Sequence, residues 1–391
     1  MDMQSKAKKL IEMIQTASVE WKPLGEVAKV LRGKRLTKKE LIEGGKYPVF
    51  HGGLIPLGWF DQFNRRANQT MIINTGSIGE VIWSGVDFWS SDGTFVIQTP
   101  NYLDDKFIFY FLKTREGYLK SQKRVGGVPT IDRLVVENIS IPIPPLETQQ
   151  KIVKILDKFT ELEATLEAEL ALRKRQYQYY RDFLLDFDNQ IGGGIADDYK
   201  GRLKDVVWKT LGEIAEYSKN RICSDKLNEH NYVGVDNLLQ NREGKKLSGY
   251  VPSEGKMTEY IVNDILIGNI RPYLKKIWQA DCTGGTNGDV LVIRVTDEKV
   301  NPKYLYQVLA DDKFFAFNMK HAKGAKMPRG SKTAIMQYKI PIPPLPEQEK
   351  IVAILDKFDT LTHSISEGLP HEIALRRKQY EYYREQLLAF R

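Results

Sequence analysis

Phosphates and base edges are what the side chains gathered in the loop-like segments of this chain suit. In the first half Arg32, Lys34, Arg35, Lys38 and Lys39 cluster around a glycine, Asn64, Arg65 and Arg66 follow in a row, and Lys120, Lys123 and Arg124 lead into Gly126-Gly127. In the second half come Lys219, Asn220 and Arg221, then Arg242 with Lys245 and Lys246. Asn269 and Arg271 precede Lys275 and Lys276, and Lys320, Lys323, Lys326 and Arg329 close the series. Arg and Lys read guanine and Asn and Gln read adenine in a major groove, while plain Lys and Arg hold phosphates. Any one of these residues alone reads as a solvated surface charge. The clusters together make all of them candidates for contact with DNA, without separating base readers from phosphate clamps.

Other chemistries find less to stand on. No G-x-G-x-x-G follows a strand, so no dinucleotide or S-adenosylmethionine fingerprint is present. Gly330-Ser331-Lys332-Thr333 is only faintly similar to a phosphate-binding loop: its lysine is displaced by one, and the stretch after it reads as β, not helix. Asp104-Asp105-Lys106 reads as a solvated helix start, because no second acidic strand lies near it to complete a nuclease cluster. Pro144-Pro145 and Pro343-Pro344 are each preceded by Ile-Pro-Ile and followed by Leu, unlike the acid- or amide-led Pro-Pro-aromatic motif of amino-methyltransferases. Cys223 and Cys282 are the only cysteines, and His51, His230, His321, His363 and His371 are scattered, so no zinc site and no catalytic triad is legible. The expectation is a chain with no catalytic, cofactor or metal site of its own.

Charge supports the same direction. The chain is 42% hydrophobic and 28% charged, ordinary globular composition, with a net charge of +8. That charge is uneven. Residues 1–145 hold 20 Lys+Arg against 15 Asp+Glu, and residues 208–340 hold 21 against 15, whereas 146–207 and 341–391 come to −2 and −1. Two basic segments attract polyanions. No apolar run reaches the 18–20 residues or so of a membrane span, and the first twenty residues lack the apolar stretch of a signal peptide. A cytoplasmic protein is expected.

The elements that must position these residues are written twice. IPIPPLETQQKIVKILDKF (141–159) returns as IPIPPLPEQEKIVAILDKF (340–358), with 15 of 19 positions identical. LRKRQYQYYRDFLLDF (172–187) returns as LRRKQYEYYREQLLAF (375–390), with ten of 16 identical. Trp21-Lys22-Pro23-Leu24-Gly25 is echoed by Trp208-Lys209-Thr210-Leu211-Gly212. Each repeat reads as a long helix. Ile152, Leu156, Phe159, Leu166, Leu170, Tyr177, Tyr180, Leu184 and Phe187 keep one face apolar, and an unbroken run of that length spans about 60 Å. Such helices need a partner, and an antiparallel coiled coil supplies it. The tyrosines of the QYxYYR blocks are expected to pack in that seam. The second copy carries four extra residues around Gly368 and Pro370, which predict a kink there. Between the repeats, short strands are expected at Thr70–Asn74, Glu80–Trp83, Phe95–Thr99, Asp264–Ile267 and Val290–Val295, with helices at Tyr102–Lys113 and Tyr304–Phe317. The fold class is α+β with an internal pseudo-two-fold repeat. The divisions are an N-terminal helical segment (1–20), a globular domain (21–145), a long helix (146–188), a Gly-rich linker (189–207), a second globular domain (208–343) and a second long helix (344–391) kinked near 368–370.

The repeated IPIPPLxxQxKIVxILDKF followed by QYxYYRxxLL resembles the specificity subunit of type I restriction–modification enzymes, over the whole chain and in the same order. Ile267-Gly-Asn-Ile-Arg-Pro272 and Gly285-Thr-Asn-Gly-Asp289 are similar to segments of that family's target recognition domains. The resemblance implies two recognition domains, each reading one half of a bipartite asymmetric DNA site, with the helices as a ruler for the spacer. It also implies a non-catalytic scaffold for two modification subunits, which methylate adenine with S-adenosylmethionine, and for restriction subunits, which use ATP and Mg²⁺. A free-standing methyltransferase or nuclease would need motifs that are missing. A coiled-coil adaptor for protein is opposed by the basic charge of both variable halves.

Overall fold

A computed structural model describes residues 3–16, 18–124, 129–187, 205–364 and 366–390. Gly126-Gly127 and most of the Gly-rich linker lie outside the described residues. The chain forms two compact units, Met1–Leu166 with Ile373–Arg391, and Glu167–Glu372.

In the first unit, strand Glu20–Pro23 pairs antiparallel with Ser140–Ile143, placing Trp21 opposite Pro142. Inside this ribbon lies a four-stranded antiparallel sheet in the order Lys29–Arg32, Thr94–Gln98, Gln69–Ile73, Val81–Ser84. A smaller sheet joins Gly58–Phe60, Tyr47–Phe50 and Trp89–Ser90, the last pair parallel. Helix Asp105–Thr114 covers the larger sheet, and its start is capped by Asp104, whose carboxylate accepts from the Lys106 and Phe107 amides. One core unites Ile72 and Phe95 of the sheet, Phe107 and Phe111 of that helix, Ile152, Leu156 and Phe159 of the long helix, and Tyr383 and Leu387 of the last helix. Burying each such side chain contributes about 1.5–3 kcal/mol. Helix Met3–Thr16 joins the same core through Ala7, Leu10, Ile11 and Ile14.

The second unit repeats the plan. Strand Val207–Thr210 pairs with Lys339–Ile342, placing Trp208 opposite Pro341. The larger sheet runs Ala215–Tyr217, Val290–Val295, Ile265–Gly268, Ile277–Gln279 and is antiparallel throughout. The smaller runs Arg221–Cys223, Lys256–Tyr260, Gly284–Thr286, Tyr232–Val233. Its core joins Ile265, Ile293 and Tyr304 to Ile351, Val352 and Leu355 and to Tyr177 and Leu184. The helix expected over Tyr304–Phe317 is two helices, Pro302–Leu309 and Asp312–Lys320. The break falls at Asp311, whose side chain leaves the helical path to cap the second helix through the Lys313 amide. The strand expected after Gly330 is instead the short helix Lys332–Met336, capped by Ser331.

Each globular part is fastened to its helices by the same buried glutamine. Gln149 accepts from the Asp104 amide (2.8 Å) and donates to the carbonyls of Tyr102 (3.1 Å) and Pro144 (2.8 Å). Gln348 accepts from the Asn301 amide (2.8 Å) and donates to Lys299 (2.9 Å) and Pro343 (2.8 Å). About two turns on, Asp157 pairs with Lys106 (2.8 Å), and Asp356 with Lys303 (3.0 Å).

The first long helix is unbroken over Leu146–Leu185. The second is split into Leu345–His363 and Gly368–Leu387, as the four extra residues predict. Helices pair antiparallel within each unit. In the first, Phe159 stacks on Tyr383 while Glu163 meets Arg377. In the second, Tyr180 stacks on Phe358 and Tyr177 lies against Phe358 and His363. Of the repeated tyrosines, Tyr177 and Tyr383 are buried in these seams, whereas Tyr179 and Tyr382 stay exposed.

Candidate nucleic-acid interface

In the first unit, backbone bonds draw the basic segments onto one edge. The Lys34 amide donates to Ser90 O (2.9 Å) and the Leu36 amide to Ser91 Oγ (3.2 Å). The approach at Gly33 is so close that a Cβ would stand 1.9 Å from Ser91 O, so only glycine fits. Ser91 N in turn donates to Phe50 O, and Ser77 N to Gly52 O, both 2.8 Å. Thr75 bridges to Thr130, which bridges to Arg124. Segments 32–39, 50–53, 75–77, 90–91 and the ends of 124–130 are thereby neighbours.

On this edge Arg32, Lys34, Arg35, Lys38, Lys39 and Lys123 are exposed, and among the described residues none has a carboxylate within ion-pair distance. The other candidates are engaged. Asn64 points inward, its amide bonded at both ends to the Ser90 backbone (2.7 and 2.9 Å). Arg65 donates to the carbonyls of Asn64 and Arg32, and burial lowers its pKa from the ordinary arginine value. Arg66 lies over the Phe63 ring and 3.3 Å from Asp87. Lys120 pairs with Glu80 (2.6 Å) and Arg124 with Asp132 (2.7 Å).

The second unit builds a corresponding edge from unlike sequence. Asn269 N donates to Asp289 O (2.8 Å), as Asn74 N does to Gly93 O (2.9 Å). Gly330 N donates to Asn269 O, as Ile131 N does to Asn74 O, both 3.1 Å. Lys323 N donates to Arg329 O, as Arg124 N does to Thr130 O, both 2.9 Å. Segments 269–276 and 320–330, far apart in sequence, are therefore joined. Only the asparagine that closes a β run, at 74 and 269, marks the equivalence in the sequence.

On this edge Arg271, Lys320, Lys323 and Lys326 are exposed and outside ion-pair distance of any described carboxylate; Lys246 and Asn220 are exposed as well, on segments that these bonds do not join. Arg329 pairs with Asp289 (3.1 Å), Lys219 stands 3.6 Å from Glu216, and Arg221 donates to Thr258 Oγ1 (3.1 Å). Four candidates serve as struts. Arg242 and Lys275 converge on Asp312 (2.7 and 2.9 Å), Lys276 donates to Val235 O (2.7 Å), and Lys245 lies over the Trp278 ring. Burial holds the Lys276 ammonium below the usual lysine pKa. Asn269 is buried. Exposed apolar side chains that charge counting passes over stand on both edges: Leu54 and Ile55 beyond Gly52-Gly53, and Tyr273 and Met327 beside Arg271 and Lys326.

Among the described residues no group of His, Cys, Asp or Glu is placed to hold a metal ion, and no helix is long and apolar enough to cross a membrane. Two unlike basic edges, each on a head fastened to its helix by a buried glutamine at the equivalent position, make the candidate nucleic-acid interface of a two-headed protein. The chain belongs to the type I restriction modification DNA specificity domain family, whose model matches residues 18–172 and again 204–375. It is 32% identical to the type I restriction enzyme EcoR124I/EcoR124II specificity subunit of Escherichia coli, over 97% of this chain and 96% of that one. It is 26% identical to the type I restriction enzyme MjaVIII specificity subunit of Methanocaldococcus jannaschii, over 86% and 85%. Its fold is similar to the crystal structure of the type I restriction-modification S subunit from M. genitalium (TM-score 0.65, 19% identity, 96% and 97% covered). It is also similar to a chain from a structural study of complex assembly and conformational transition in the type I system (TM-score 0.52, 15% identity, 96% and 99% covered).

Proposed function

We propose that the chain is the sequence-specific DNA-recognition subunit of a type I restriction–modification complex, with residues 21–145 and 208–343 each reading one half of a bipartite, asymmetric site. The observation that carries this reading is the pair of basic edges, built on the same backbone plan from unrelated side chains. A shared plan supports the same task, and different side chains support different sequences. The unpaired Arg32, Lys34, Arg35, Lys38, Lys39, Lys123, Lys320, Lys323 and Lys326 suit phosphate contact. The helices set the spacer, and the repeated helical surface receives two modification subunits. Adenine methylation with S-adenosylmethionine and cleavage with ATP and Mg²⁺ belong to the modification and restriction subunits. Recognition, positioning and assembly belong to this chain.

Single-molecule methylome sequencing of cells co-expressing this chain with its modification subunit tests the proposal. A gapped motif with methyladenine in both arms is expected. An active modification subunit that leaves no gapped motif overturns it. The adaptor alternative would also give an affinity for DNA that hardly changes with salt, whereas phosphate contacts make it fall steeply.

A further inference from the structure

In the second unit, the turn Pro272–Leu274 is closed by its own backbone bonds and tied to the 320–330 segment by one more. Arg271 and Lys275, on either side of it, are both left-handed (φ 57° and 50°), a region that non-glycine residues enter at a cost of about 1 kcal/mol or more each. Such strain persists only where the surroundings impose it. Here Arg271 N donates to Pro328 O (2.8 Å), Leu274 N to Arg271 O (2.9 Å), and Lys275 N to Pro272 O (2.9 Å). The Lys275 and Lys276 side chains are tied down as struts.

What this scaffold presents is Tyr273, 49% exposed, with no hydrogen bond or ring contact from its side chain among the described residues. The loop to which Arg271 is bonded carries Met327, 51% exposed. Around the two stand Arg271, Lys323 and Lys326, exposed and unpaired. A rigid, strained turn that lifts an aromatic ring and a thioether out of a basic surface is suited to DNA. Phosphates meet the cations, and an apolar side chain enters a groove to pack on a base or between base steps.

We propose that Tyr273, with Met327 beside it, is the base-contacting wedge of the second head and a determinant of its half-site. The proposal rests on the DNA-recognition reading. The test uses the complex of this chain with its modification subunit, a duplex carrying the methylome-mapped site and a scrambled duplex. Tyr273→Ala is expected to lower the preference for the site at least tenfold, leaving affinity for the scrambled duplex and reading of the other arm unchanged. Tyr273→Phe, which keeps the ring, is expected to restore it. An unchanged preference overturns the proposal, and so does an equal loss on both duplexes, which marks a non-specific contact. Should Tyr273→Ala fail to assemble, the unsubstituted complex decides. 5-Iodopyrimidines placed one at a time through the mapped site are expected to photocrosslink to Tyr273 from one arm only. Crosslinks that fall elsewhere and never on Tyr273 overturn the wedge. A wild-type complex with no preference for any site fails the recognition reading itself, an outcome distinct from a site preference that survives Tyr273→Ala.

Discussion

Asp264 holds its carboxylate at 3% exposure against Arg294, with nitrogen–oxygen distances of 2.9 and 2.7 Å, and accepts from the Ile261 amide as well. Hydrogen bonding to Asp264 holds the Arg294 guanidinium above its ordinary pKa. Removing one partner of such a pair leaves a buried charge alone, so Arg294→Ala is expected to destabilise the protein by about 3 kcal/mol, measured by chemical denaturation. Gln348→Ala unpairs the Asn301 amide and two carbonyls at once and is expected to cost about 2–3 kcal/mol. The unpaired cations answer to a different measurement. Replacing Lys34, Arg35 and Lys38 by Ala is expected to leave stability unchanged and to flatten the salt dependence of DNA affinity, by about one unit of log–log slope for each phosphate no longer neutralised. At this scale the sequence was half legible. It located the clusters that form the edges. Arg242, Lys275, Lys276 and Asn64 became supports because their partners, Asp312, Val235 O and the Ser90 backbone, come from segments that only folding brings near.

The elements were most legible where periodicity is long. The 40-residue helix Leu146–Leu185 and the split of its counterpart follow from spacing and from the Gly368–Pro370 insert. Buried strands such as Val290–Val295 stood out as apolar runs. The smaller sheets did not, because Trp89–Ser90, Tyr232–Val233 and Gly284–Thr286 are two or three residues long and Gly285 packs flat against Leu227 and Ile222. Gly368 makes the helix break specific. Its φ of +73° is left-handed, and a Cβ there would stand 2.4 Å from Thr360 O. Gly368→Ala is expected to lower stability by about 1–3 kcal/mol in thermal melts through strain and steric overlap, while Gly249→Ala, whose Cβ meets open space, serves as the neutral control.

For the whole molecule, the fold class and the repeat were readable because two copies of one sequence must bury two copies of one helical face. What the heads grip was not, since along the two edges the heads share little beyond Asn74 and Asn269. Replacing residues 208–340 by the matching segment of a relative is expected to change one arm of the methylated motif and leave the other, as methylome sequencing would report. The ribbons that seal each head bear on why such a replacement can fold. With Trp21 opposite Pro142 and Trp208 opposite Pro341, the chain departs from each frame and rejoins it at adjacent positions. Each head is thus a plug whose two prongs sit side by side, and the chain between them can vary in length and sequence as long as it keeps the contacts to Gln149 or Gln348 and the apolar face against the helices. New DNA-reading surfaces can be tried in either socket without stretching the frame that carries the other.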